Sequence, residues 1–155
     1  MAHASNREIV ERLARAIEAK DFDTIATLIT DDYVEEFPQS GERIRGRANQ
    51  QAIVRNYPGG VGTAESGGII GSEDKWVMGP SFNVVHVMGS GDTYTYVAKV
   101  RYPNGELWHV IAMVKVRDGR VARSTTWYVA PFAAPDWRAQ YVERFEPMSL
   151  PELGS

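Results

Sequence analysis

Among the acidic and hydroxyl side chains of this 155-residue sequence, the pattern that could do proton chemistry is Y33-V-E-E-F37. Read as a strand, successive side chains alternate faces, so Glu35 shares a face with Phe37. A carboxyl group set among apolar neighbours has its charged form disfavoured, and a proton-transferring acid or base needs that. The competing reading is a rim carboxylate, or one paired with Arg43, Arg45 or Arg47. Glu36 faces the other way and is expected to pair within the Q-S-G-E-R loop. Two phenols in another strand-like run, Tyr94 and Tyr96, could donate to a ligand oxygen, and Tyr96 lies nearer mid-strand. A buried phenol satisfied by backbone or water is the alternative for both.

Other chemistry has little support. The sequence contains no cysteine, which excludes disulfides, thiolate catalysis and sulfur-based zinc sites. Its three histidines, His3, His86 and His109, stand apart without ligand spacing, so no metal is expected. His86 is placed with the cavity residues. The loop M88-G-S-G-D92 leaves its face open, and a structural histidine is the alternative. G60-V-G-T-A-E65 lacks the third glycine of a dinucleotide fingerprint and follows a helix rather than a strand. No phosphate loop or nucleophile elbow is present, and no organic cofactor is expected.

Composition narrows the classes further. The chain is 43% hydrophobic and 24% charged with a formal net charge of −3. That suits one globular domain and offers nucleic acid or anionic membrane no general attraction. No window approaches the ~18 consecutive apolar residues of a membrane span, and no signal-peptide pattern opens the chain. A cytoplasmic protein is expected.

The elements that must position these residues can be read in order. Ser5 and Glu8 have capping-box spacing, and Ile9, Leu13, Ala16 and Ile17 form one stripe of a first helix. Asp21 and Asp23 can cap a short second helix that Asp31-Asp32 ends, with Ile25, Leu28 and Ile29 inward. Tyr33–Phe37 is a strand closed by Pro38. A third helix is expected from about Ala48 to Tyr57. Residues 58–68 hold five glycines, which argues for an irregular connection or a lid rather than regular structure.

Strand-like runs follow at about 69–78, 82–88, 93–102, 106–117 and 120–129. Y102-P-N-G-E106 reads as a three-residue hairpin loop. It would put Tyr94, Tyr96, Ala98 and Val100 on one face with Trp108, Val110, Ala112 and Val114. Val97, Ile111 and Met113 would lie opposite, mixed with Lys99, Arg101, His109 and Lys115. At Asp118-Gly119 a two-residue loop puts Trp127 on the cavity face and a three-residue loop puts Tyr128 there. The tail from about 130 is extended to Pro135. Asp136 would then cap a short helix with Trp137, Tyr141 and Phe145, whose aromatics suit packing on the sheet or on a partner subunit.

The stretch D21-F-D-T-I-A-T-L-I-T-D-D-Y-V-E-E-F-P-Q-S-G-E-R-I-R-G46, after one helix and before another helix and a run of strands, resembles the nuclear transport factor 2-like fold, also called SnoaL-like. The resemblance implies an α+β fold: about three N-terminal helices on a strongly curved, mostly antiparallel sheet, with a cone-shaped cavity for small apolar molecules. Residues 1–155 would form one such domain. Aligning D31-D-Y-V-E-E-F-P with ketosteroid isomerase, a member of that family, puts its catalytic base at Phe37, its helix-1 tyrosine at Leu13 and its oxyanion aspartate near Ala112. None of the three can do that work, so steroid isomerisation by that route is not expected.

The expected site is therefore Glu35 for proton transfer and Tyr96 for oxygen binding, with Phe37, Tyr57, His86, Trp108, Ala112 and Tyr128 as cavity lining. Three functions stay open: a cofactor-free enzyme acting by proton transfer on a small apolar molecule, a non-catalytic binder using the same cavity, and a protein-binding module. A homodimer through the sheet face opposite the cavity is expected.

Overall fold

A computed structural model describes residues 4–71 and 91–144; for 63–71 only the backbone pairing is considered. His3, His86, Phe145 and the expected strand at 82–88 lie outside the described residues.

Helix α1 spans Asn6–Glu18 and starts where its capping box requires. Ser5 N donates to Glu8 Oε2 at 2.6 Å, and Glu8 N donates to Ser5 Oγ at 3.2 Å. Its buried residues, Ile9, Val10, Leu13, Ala14 and Ala16, recur at helical spacing. Helix α2, Phe22–Leu28, is capped by Asp21, whose side chain accepts from Thr24 N. Strand β1 then begins at Ile29 and runs to Phe37, so Asp31 and Asp32 lie within the strand instead of ending the helix. Leu28 and Ile29 are both buried, at 3% and 2% exposure, so core packing turns the chain from helix to strand without a polar connector.

Strand β2 is Glu42–Arg45. Helix α3 is Arg47–Arg55, shorter at its C-terminus than expected, and it leaves Tyr57 outside the helix. Strands β3 (Thr63–Gly71), β4 (Thr93–Arg101), β5 (Leu107–Arg117) and β6 (Arg120–Val129) complete one open sheet in the order β2-β1-β6-β5-β4-β3. All pairings are antiparallel except β1 with β6. The α+β architecture is the expected one. The three helices gather on one face, where α1 joins Tyr96, Ala98, Val110, Ala112 and Val114 in a single core cluster.

The glycine-rich stretch departs from expectation. From Thr63 onward it is a strand, not a loop or lid. Among the described strands it ends the sheet and pairs with β4 alone, and Gly67 falls at the bulge between the Ser66–Ala98 and Gly68–Val97 pairs.

The two later turns settle the facing of the sheet residues. Tyr102 N donates to Glu106 O and Gly105 N to Tyr102 O, both at 2.9 Å, and Gly105 takes the left-handed φ of 88°. Tyr96 therefore pairs with Ala112 and Val100 with Trp108, as the three-residue loop requires. The Asp118-Gly119 turn has two residues, both at positive φ, and starts from the pair Arg117–Arg120. A bulge follows, because Val116 pairs with Val121 but Lys115 pairs with Arg123. The extra residue, Ala122, shifts the register by one, so Val110 meets Tyr128 and Trp127 lies on the opposite face.

The tail forms a 3-10 turn over Asp136–Tyr141, with Pro135 rather than Asp136 at its cap and no side-chain cap hydrogen bond. Phe132, Trp137 and Tyr141 are 79%, 74% and 75% exposed, so the expected packing on the sheet is not seen among the described residues.

Candidate functional site

Tyr33, Glu35 and Phe37 alternate out of β1 toward the helices, and β6 lies beside them in parallel with Glu35 opposite Ser124. All these residues border a cavity of about 1380 Å³ between the helices and the sheet. Tyr57, Tyr96, Trp108, Ala112, Thr126 and Tyr128 border it as well. Its walls are mainly apolar, as small-molecule sites are.

Glu35 is its most unusual group. The residue keeps some accessible surface because it borders the cavity, yet its carboxyl lies deep among protein atoms. Thr126 Oγ1 donates to Glu35 Oε1 at 3.0 Å. The Tyr33 phenol is its second hydroxyl partner, and Tyr33 also hydrogen-bonds Ser124. Among the described residues no arginine or lysine pairs with it. Loss of hydration raises its pKa from the ordinary 4.5, and the two hydroxyl contacts only partly oppose this. Burial, and then the neighbouring Glu35 charge, drives the Tyr33 pKa well above its ordinary value, so Tyr33 stays a donor.

Glu36 shows the contrast one residue away. It points to the other face and meets Arg123 Nη2 at 2.6 Å and Arg43 Nε at 2.7 Å. Those contacts, Arg123 first, hold its pKa below the ordinary carboxylate value. The arginines therefore serve Glu36 and leave Glu35 to hydroxyls.

The aromatic wall has two clusters. Phe37 and Tyr128 lie with ring centroids 6.0 Å apart, and Tyr102 meets Trp108 edge-on at 5.7 Å. Burial raises the pKa of Tyr128, with smaller contributions from Glu35, Tyr102, Tyr57 and Tyr96. Burial pushes the Tyr102 phenol up to about 12, with a further contribution from Tyr57. Tyr94 takes no part in this: it is 3% exposed and its hydroxyl donates to Gly91 O at 2.9 Å. Leu13 is buried in the helix stripe, and Ala112 faces Thr126 across β5 and β6.

Tyr33, Ser124 and Thr126 did not emerge from the sequence. Tyr33 was within reach, because it lies two residues before Glu35 on the same strand face. The two hydroxyls of β6 depend on a long-range parallel register that no local signal reveals. Among the described residues no group of three or more His, Asp or Glu side chains could hold a metal ion. No described helix is long and apolar enough to cross a membrane.

An open curved sheet with helices on one face and a cavity between them defines a class of scaffold, and residues 10–124 match the SnoaL-like domain model. The chain belongs to the SnoaL-like family, within the nuclear transport factor 2-like superfamily. It is similar to an NTF-2-like protein of unknown function from Burkholderia xenovorans LB400, with 30% identity over 91% of this chain and 95% of that one and a TM-score of 0.69. A ketosteroid isomerase candidate from Kribbella flavida DSM 17836 shares 20% identity over 91% and 90% of the two chains, with a TM-score of 0.71. An LEH-like epoxide hydrolase from M. tuberculosis shares 20% over 77% and 79%, with a TM-score of 0.55. At these identities the last two establish the fold alone. No curated protein matches the chain.

Proposed function

We propose that this chain is an enzyme that moves protons on a small, mainly apolar molecule held in the cavity. Glu35 is the proton-transfer group and Tyr96 the donor to a substrate oxygen. The carrying observation is the enclosed Glu35 carboxyl, with a raised pKa, hydroxyl partners and, among the described residues, no cation. A structural ion pair would lower a carboxyl pKa; desolvation without a counter-charge raises it, as a proton-transferring carboxyl requires. The apolar wall supports a substrate without extended polarity. Relatives named for isomerase, epoxide hydrolase and polyketide cyclase activity support small-molecule chemistry on this scaffold without selecting one reaction.

The alternative is a non-catalytic binder. Leu13, Phe37 and Ala112 favour it, since they occupy the positions that the resembling isomerase uses for chemistry. The two separate on one experiment. Apolar ketones, enones and epoxides are screened for turnover, and the Glu35→Gln variant is compared on any substrate found. The variant keeps the shape and removes the titration, so turnover should fall about a hundredfold or more while binding is spared. An unchanged rate would remove Glu35 from the mechanism and favour the binder. We also propose a homodimer through the sheet face that carries Val97, Ile111, Met113 and Trp127.

A further inference from the structure

Beside the main cavity is a second hollow of about 600 Å³, and three cationic side chains line it: Lys20, Arg55 and Arg101. They come from three separate places in the chain. Lys20 sits in the turn between α1 and α2 at a left-handed φ of 54°, Arg55 ends α3, and Arg101 ends β4. Among the described residues no aspartate or glutamate lines the hollow, and none of the three cations pairs with a carboxylate. Lys20 Nζ donates to Val61 O at 3.0 Å, and Arg101 makes one long contact, 3.4 Å, to Gly105 O. Backbone carbonyls hold Lys20 and Arg101 without neutralising them. In a chain of net charge −3, such a concentration of uncompensated positive charge calls for an anion.

The hollow adjoins the cavity: Phe22, Val54, Val61, Tyr102 and Pro103 border both. This shared wall is apolar apart from the Tyr102 phenol, which stays protonated. We infer that the ligand is amphipathic, with an apolar body in the cavity and a terminal carboxylate or phosphate between Lys20, Arg55 and Arg101. Arginine forks suit either anion. The inference rests on the cavity being a ligand site and adds the chemical class of the ligand.

Titration calorimetry of the intact chain with sodium octanoate, octyl phosphate and 1-octanol tests it. The anions should bind about ten- to a hundredfold tighter than the alcohol at low salt, as a charge-assisted contact implies. High salt should shrink that difference. Arg55→Gln and Arg101→Gln should each remove much of it and leave 1-octanol binding unchanged. The tighter of the two anions identifies the head group. The salt series on the unmodified chain keeps the test decisive if a variant fails to fold. Octanol binding as tightly as both anions would overturn the cationic subsite and leave the cavity reading standing. No binding by any of the three would overturn both.

Discussion

Two adjacent glutamates in β1 have opposite fates because the strand turns them to opposite faces. Glu36 meets two arginines and stays charged, while Glu35 meets hydroxyls and loses water. The linkage of Glu35 to stability has a definite sign. Its folded pKa lies above the ordinary 4.5, so the folded state holds this proton more tightly than the unfolded chain. Its contribution is fully present below that value and is lost as pH rises through the folded pKa. Glu35→Gln should therefore gain stability relative to the parent as pH rises from about 4 to 8, read as diverging denaturation midpoints. Parallel midpoints would show that the carboxyl is not desolvated. Alternation alone brought Glu35 and Phe37 to one face in the sequence, whereas Thr126 reached Glu35 only through the long-range parallel pairing of β1 with β6.

The elements were legible where the signal was local. The capping box, the Asp21 cap and the three-residue hairpin loop each needed only a few neighbouring residues, and each stands in the structure. Glycine density misled because it was read without a partner strand. A strand that pairs, among the described residues, with β4 alone can absorb glycines, and one neighbouring position needs one. A Cβ at Gly62 would overlap Val100 Cγ1 and lie 2.8 Å from Arg101 O. Gly62→Ala should destabilise the fold by about 1–3 kcal/mol, as forced overpacking does. Urea denaturation reads this directly, and an unchanged midpoint would mean that β3 is not held against β4 there. The tail is the opposite case. Its aromatics were expected to pack on the sheet or on a partner, and Phe132, Trp137 and Tyr141 are instead largely exposed.

At the scale of the whole molecule, the sheet face away from the helices leaves Ile111 39% exposed beside Met113 and Trp127. An apolar strip in the middle of a sheet is unusual on a lone chain. For the proposed homodimer, sedimentation at micromolar concentration should give twice the 17.3 kDa chain mass. Ile111→Asp should weaken the dimer about tenfold or more, since it buries an unpaired charge. A parent chain that sediments only as the single species would rule the dimer out.

The one parallel pairing in the sheet also orders events in time. β1 is finished on one side by β2, only a short loop away, but its other side waits for β6, and Thr126 lies 91 residues beyond Glu35. While the chain is being synthesised, the glutamate therefore emerges early and stays hydrated and charged. Tyr33 is already beside it, but Thr126 appears only after β2, β3, β4 and β5 have been made. The acid acquires its altered proton affinity in the step that completes the sheet, so the proposed proton transfer would become possible only when the fold is complete.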